Sequence, residues 1–223
     1  PGETTIVEAT SGNTGISLAS YSSSIGCKCI IIMPENMSEQ RKIMMRAFGA
    51  EIIETGHNQF AEAIKIRDDI IFKSNTKEFK KGFFSPLQFE NPLNIMCHES
   101  ITAPEIISDL KEETFLPWSS FVHGAGTGGT MMGIKNFIDK RGMNTKCILT
   151  CPAESSSDHG IQGINDGADF LLNKSIMDME IKIKTDDAIK RMKQFWKDTG
   201  ILVGISSGAN ILASEIYCDR ESP

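Results

Sequence analysis

Residues 124–130 read "GAGTGGT", with four glycines and two threonines in seven positions. They follow a strand-like run and precede a helical pattern. Glycines there let the backbone approach a phosphate closely, and the dipole of the following helix favours its charge. The spacing is not that of a triphosphate loop, because no G-K-[ST] follows. It also departs from the dinucleotide pattern G-x-G-x-x-G. A phosphorylated cofactor or a sugar phosphate is the chemistry that remains, with tight packing as the competing reason for the glycines. A second stretch, "EATSGNTGIS" at 8–17, puts small polar residues between β-branched Thr5-Ile6-Val7 and a helix. Its free backbone N–H groups make a seat for an anion, or the turn is an ordinary one capped by Ser11 or Asn13. A third turn, Ser206 to Gly208, shares the pattern. Metal chemistry finds little support: His57, His98, His123 and His159 form no i,i+4 pair, and the six cysteines have no zinc-like spacing.

Turns like these work only at the ends of strands, so the flanking elements matter. The chain alternates. Ile6-Val7, 29–33, 51–55 and 82–86 read as strands; helices are expected after the first turn, over 38–50 from a Ser38 cap, and over 59–74 with Phe60, Ile64, Ile71 and Phe72 among its apolar residues. In the second half, 94–110 looks helical with an interruption near Pro104. Strands at 119–126 and 146–154 enclose a helix at 130–140. Thr185 caps a helix ending at Gly200, and 201–216 reads as a strand, a turn and a helix start. Strands separated by helices imply parallel β-α-β units, hence an α/β sheet with ligands collecting at the strands' carboxyl ends. The boundary between two domains is expected near "SPLQFENP", residues 85–92.

Composition narrows the classes. The 223 residues carry a net charge of -6, with a pI near 5.3 and a mean hydropathy of -0.16. That balance argues against a nucleic-acid binder, and the mixed run at 77–81 reads as a solvated loop. No stretch approaches a membrane span; the densest apolar run, 29–33, stops at Pro34. Cysteines in apolar runs read as core thiols in a reducing cytoplasm. The chain opens on Pro1-Gly2 and closes on Arg220 to Pro223, so both ends are expected to be cuts.

Six stretches in register carry a resemblance: "EATSGNTGISLA" (8–19), "MPENMSEQRKIMMRAFGAEII" (33–53), "QFENPLN…H…TAPEI" (88–106), "GAGTGGTMMG" (124–133), "AES…HGIQGI" (153–164) and "LVGISSGAN" (202–210). Together they resemble the pyridoxal-phosphate-dependent cysteine synthase family, which includes O-acetylserine sulfhydrylases, cystathionine β-synthases and cysteine desulfhydrases. The resemblance implies the two-domain fold type II of the tryptophan synthase β-like enzymes, with parallel sheets flanked by helices. Residues 1–86 would be the smaller domain, closing on substrate, and 87–223 the larger cofactor-binding domain, each incomplete.

The resemblance also assigns roles. Thr10, Ser11, Gly12, Asn13 and Thr14, with Gln88, would hold the α-carboxylate of an amino-acid substrate. Asn13 would also reach the ring hydroxyl of pyridoxal 5'-phosphate. Gly126, Thr127, Gly128, Gly129 and Thr130 would cradle the cofactor's phosphate, and Gly204 would lie beside it. The implied reaction is β-replacement, making L-cysteine from O-acetylserine or phosphoserine and sulfide. The alternatives are desulfhydrase-type β-elimination, or a non-catalytic binding or interaction protein. The family's Schiff-base lysine has no counterpart in this chain: neither Lys28 nor Lys42 takes its place, so no catalytic residue is assigned and little turnover is expected. No metal, nucleic acid or membrane partner is implied. A homodimer is implied for the complete protein, in the cytoplasm.

Overall fold

The structure is a computed structural model describing residues 4–10, 12–57, 59–74, 82–112, 118–155, 158–164 and 168–221. Contacts divide the chain into two compact units, Pro1–Gln88 and Phe89–Pro223. The run at 77–81 lies outside the described residues.

The first unit holds β1 (Thr4–Ala9), α1 (Asn13–Ile25), β2 (Lys28–Pro34), α2 (Glu39–Ala47), β3 (Glu51–Thr55), α3 (Phe60–Ser74) and β4 (Gly82–Phe84). Its four strands lie in the order β3-β2-β1-β4, and each neighbouring pair is parallel. β1 and β2 are central, which explains why their apolar residues run consecutively instead of alternating. Ile31, Met33, Cys29, Met45, Ala19 and Ala50 form one buried cluster. Ser38 stands at the N-cap of α2, but its side chain makes no capping bond. Phe72, expected among the apolar residues of α3, is 74% exposed. The face of α3 that meets β1 carries Ala63 and Arg67 instead, both buried.

The second unit runs α4 (Leu93–Cys97), a π-helical turn (His98–Thr102), α5 (Ala103–Glu112), β5 (Ser120–Gly124), α6 (Gly129–Lys140), β6 (Lys146–Pro152), a 3-10 turn (Lys174–Ile176), β7 (Met179–Ile183), α7 (Thr185–Thr199) and α8 (Ile205–Glu221). The sheet order is β5-β6-β7, again parallel throughout. β6 is buried on both faces. Cys147 and Leu149 pack with Ile134, Phe137 and Ile138 of α6, while Ile148 joins Ile181, Ile183 and the alanines of α8. Burial of each such side chain is worth roughly 1.5–3 kcal/mol. No disulfide joins any two of the cysteines, and burial lifts the Cys147 and Cys151 thiols to about 11.

Four local features add to the expectations or change them. The interruption near Pro104 is the π-helical turn: proline has no N–H for the carbonyl four residues back and its ring crowds that turn, so the helix widens before it. Residues 201–204 form no strand. Gly200 ends α7 with φ +71° and α8 starts at Ile205, leaving a short link. The Val203 carbonyl in that link accepts from Trp196 Nε1 at 2.9 Å instead of joining a ladder. β7 was not anticipated, although "MEIKI" alternates as a half-buried strand should.

The fourth concerns Thr185, which is the first residue of α7 and not its cap. Its N–H donates to Glu154 Oε1 at 2.7 Å, and its hydroxyl accepts from the Gly160 N–H at 2.9 Å. Glu154 is therefore the side chain that satisfies the start of α7. That backbone hydrogen bond holds its carboxyl below the ordinary 4.5. The capping contribution is fully present above the ordinary value and is lost as the pH falls through the lower folded one. Glu154→Ala should cost about 1 kcal/mol at pH 7, and the loss should shrink in acid. Denaturant unfolding of both proteins at neutral pH and near pH 3 measures it.

Candidate cofactor and substrate sites

In the second unit the glycine-rich turn leaves the carboxyl end of β5 and enters α6. Gly128, at the N-cap of α6, has φ +90°. A Cβ there would stand 2.5 Å from the Leu172 backbone nitrogen, and one on Gly126 would stand 2.8 Å from the Gly163 carbonyl oxygen. The turn thus needs glycine at 128 for its conformation and at both positions for space. It walls a cavity of about 220 Å³, lined among others by Gly126, Thr127, Gly128, Thr130, Ser206 and Asn210. The first turns of α6 and α8 contribute to this lining, and helix N-termini favour an anion.

Two features of the lining were not foreseen. Asn210 Oδ1 is buried without a hydrogen-bond partner among the described residues. His123 of β5 also faces the cavity; burial, and then the proximity of His98, push its imidazole down to about 4. It is neutral at neutral pH, and no lysine or arginine stands among the described lining residues. An anion here would meet backbone N–H groups, hydroxyls and helix dipoles, with no side-chain cation among the described lining residues. Neither Gly129, expected in the cradle, nor Gly204, expected beside the cofactor, is among the residues that line this cavity. Gly129 is buried under Asn94, and Gly204 sits in the 201–204 link with open space around it.

In the first unit, the turn from β1 to α1 begins at Thr10. Its N–H donates to Ile32 O at 3.0 Å, and its buried Oγ1 accepts from the Gly12 N–H at 3.1 Å. Asn13 and Thr14 are the first residues of α1; Ser11 lies outside the described residues. The Thr14 hydroxyl donates to Gln88 Oε1 at 2.7 Å, and Gln88 Nε2 donates to Ala9 O at 2.6 Å. Thr14 and Gln88, 74 residues apart, therefore meet at the carboxyl end of β1. The Arg41 side chain covers Gly12, where a Cβ would lie 2.4 Å from Arg41 Cδ. A cation stands beside this turn. Lys42, by contrast, is buried in an ion pair with Glu54 at 2.6 Å, and Lys28 is exposed at the start of β2.

Beneath this turn is a buried charge pair that sequence reading missed. Glu8 is fully buried, and its Oε1 accepts from Arg67 Nη1 at 3.2 Å and from the Ala9 N–H at 2.9 Å. Its Oε2 accepts from the Gln88 N–H at 3.1 Å. Burial nevertheless lifts the carboxyl above its ordinary range, outweighing those donors. The one available signal was an arginine at 67 where the helical apolar stripe of α3 should continue.

Parallel sheets flanked by helices, with a glycine-walled anion cavity after a strand, are the build of an enzyme that uses a phosphorylated cofactor. The chain belongs to the pyridoxal-phosphate dependent enzyme family, which it matches over residues 1–222. It is similar to cysteine synthase of Staphylococcus aureus, at 39% identity over 227 residues, covering 96% of this chain and 68% of that protein. It is also similar to cysteine synthase B of Campylobacter jejuni, at 38% identity over 98% of this chain and 72% of that one. Among solved structures, a hydrogen sulfide-producing enzyme from Fusobacterium nucleatum superposes with a TM-score of 0.87 at 34% identity, over all of this chain and 75% of the other. Cysteine synthase from Entamoeba histolytica does so with a TM-score of 0.80 at 36% identity, over 96% of this chain and 62% of that one. The cofactor is pyridoxal phosphate, and the residues present fit its phosphate: the cradle is one a Cβ would fill, and the hydroxyl-bearing Thr127 and Thr130 line it. Among the described residues no helix is long and apolar enough to cross a membrane, and no three His, Cys, Asp or Glu gather as a metal site.

Proposed function

We propose that this chain belongs to an enzyme of cysteine synthase-type β-replacement, in which sulfide replaces the β-substituent of O-acetylserine or phosphoserine, and that the 223 residues alone, without a Schiff-base lysine, turn over little. The observation that carries the reading is the pair of anion-competent turns, one in each unit, each after a parallel strand. The turn at 124–130 takes the cofactor's phosphate through Thr127, Thr130 and the backbone N–H groups that open α6. The turn at 10–14, with Gln88, takes the substrate's α-carboxylate, and Arg41 beside Gly12 adds positive charge. Asn13, at the start of α1, is the residue assigned to the ring hydroxyl. When bound, the cofactor supplies an electron sink for the substrate's α-carbon. The described lining of the phosphate cavity contains no lysine, so proton transfer at that carbon is assigned to no residue here. Residues 1–88 act as the substrate-binding domain and 89–223 as the cofactor domain; a homodimer is part of the same proposal.

A second reading is β-elimination from cysteine, releasing sulfide. It is favoured by the likeness to the hydrogen sulfide-producing enzyme of Fusobacterium nucleatum. The two share the carboxylate turn, so binding tests the site and products separate the reactions. O-acetylserine affinity should be measured by calorimetry on protein loaded with pyridoxal phosphate, for the unaltered chain, Thr14→Val and Gln88→Ala. Each substitution should weaken binding by about tenfold or more, the worth of one charge-assisted hydrogen bond. Unchanged affinity in both would remove the carboxylate assignment.

A further inference from the structure

The phosphate turn does not stand alone. Asn94 of α4 and His98, which opens the π-helical turn, are four residues apart and share one helix face. Asn94 Nδ2 donates to Thr127 Oγ1 at 3.1 Å. His98 Nε2 lies 3.2 Å from Thr130 Oγ1. The two threonines of the turn are therefore each met from behind by a side chain of the same segment. Two glycines of α6 at the same spacing allow this approach. A Cβ on Gly129 would stand 2.0 Å from Asn94 Oδ1, and one on Gly133 would stand 2.6 Å from His98 Cβ and 2.7 Å from Ile95 O.

The geometry points to Asn94 and His98 as positioning residues that turn the Thr127 and Thr130 hydroxyl protons into the phosphate cavity. This rests on the reading of the cavity as the cofactor's phosphate site. Thr127 Oγ1 accepts two N–H groups, from Asn94 and, at 3.3 Å, from Gly129. With its lone pairs so engaged, its own proton is left to donate, and Thr127 lines the cavity. For Thr130 the direction depends on the imidazole. His98 Nδ1 is 2.9 Å from Thr102 Oγ1, and burial lowers the basicity of the ring. The ring is therefore neutral at neutral pH, with one N–H to place.

Two arrangements satisfy the neutral ring. In one, Thr102 donates to Nδ1 and Nε2–H donates to Thr130 Oγ1, leaving the Thr130 proton for the cavity. In the other, Nδ1–H donates to Thr102, and Thr130 uses its proton on Nε2. No lysine or arginine stands among the described lining residues, so an anion there depends on hydroxyl and backbone donors. The first arrangement supplies one more of them. It also lines up three hydroxyl and imidazole dipoles toward the anion, each strengthening the next. The π-helical turn that brings Thr102 onto Nδ1 is thus part of the phosphate site, although Thr102 does not line it.

The test uses the full chain with two ligands that cannot form covalent adducts, pyridoxamine 5'-phosphate and pyridoxamine. ¹⁵N spectra of histidine-labelled protein at neutral pH should show His98 protonated at Nε2 with Nδ1 an acceptor, more completely with the phosphate ligand bound. A His98 protonated at Nδ1 in the bound protein overturns the proposal, and no variant is needed to see it. The preference for pyridoxamine 5'-phosphate over pyridoxamine should fall about tenfold in His98→Phe, the worth of one strong hydrogen bond. Thr130→Val should lose a similar factor, and the double variant no more than Thr130→Val alone. Losses that multiply in the double variant, or a preference untouched in His98→Phe, overturn the proposal. A purely structural weakening would affect both ligands alike. No phosphate preference in the unaltered chain would instead remove the cavity reading itself, and the proposal with it.

Discussion

Arg67→Met should destabilise the first unit by about 3–5 kcal/mol, because it leaves the Glu8 carboxylate buried without its cation. Both partners are almost wholly shielded, with side-chain exposures of 2% for Arg67 and 0% for Glu8. The substitution keeps most of the apolar stem, so the loss reports on charge more than on packing. The pH dependence separates this from a general weakening. Burial lifts the Glu8 carboxyl above its ordinary 4.5 even with Arg67 in place. Its native form therefore holds a proton that the unfolded chain has already released, and this contribution to stability declines as the pH rises through that window. Removing the arginine raises the native value further. The gap between variant and parent should therefore be small below pH 4.5 and widen as the pH rises toward neutrality. Urea unfolding from pH 4 to 8 measures it, and a gap independent of pH would mean that the pair is not the cause. Replacing Glu8 as well, with Gln, should recover part of the loss, since Gln retains an acceptor for the Ala9 or Gln88 N–H while removing the charge.

That prediction depends on a feature the sequence does not announce. Alternation of apolar strands and amphipathic helices made the parallel α/β architecture legible, since β2 and β6 must be buried on both faces to be so apolar. The turns at 10–14 and 124–130 were legible for the same reason, as glycine and hydroxyl clusters at strand-to-helix junctions. What stayed hidden depends on pairing across long separations. Nothing near position 8 indicates that its partner is Arg67, or that Gln88 would bring its backbone N–H to the same carboxylate. The expected strand at 201–204 failed because apolar composition cannot reveal that two helices leave only a short link. Thr185 reads as a cap from its neighbours in sequence, whereas the acceptor, Glu154, lies two residues beyond the end of β6 and 31 residues before it. His98 and Asn94 were visible as residue types, but their meeting with Thr130 and Thr127 needs the close helix approach that Gly129 and Gly133 permit.

A glycine with positive φ is needed for backbone conformation alone or for space as well, and a pair of alanine substitutions separates the two cases. Gly142, just after α6, has φ +61° and open space where a Cβ would go. Gly142→Ala should cost only the left-handed backbone penalty, about 1 kcal/mol. Gly128 has φ +90°, and a Cβ there would lie 2.5 Å from Leu172 N and 2.7 Å from Leu172 Cα. Backbone atoms cannot rotate aside as a side chain could, so either the 169–172 segment or the turn must shift. The Leu171 N–H, bonded to Thr127 O at 3.0 Å, ties the two together. Gly128→Ala should therefore cost about 3–5 kcal/mol, combining conformational strain with overpacking. Thr127 and Thr130 flank this residue, so affinity for pyridoxamine 5'-phosphate should fall by at least tenfold as their hydroxyls move. Chemical denaturation and ligand titration of the two variants read both effects. Equal costs for Gly128→Ala and Gly142→Ala would mean that the turn yields without strain. The fit to a phosphate would then come from the helix N-termini alone, with no contribution from the closeness of the glycine backbone.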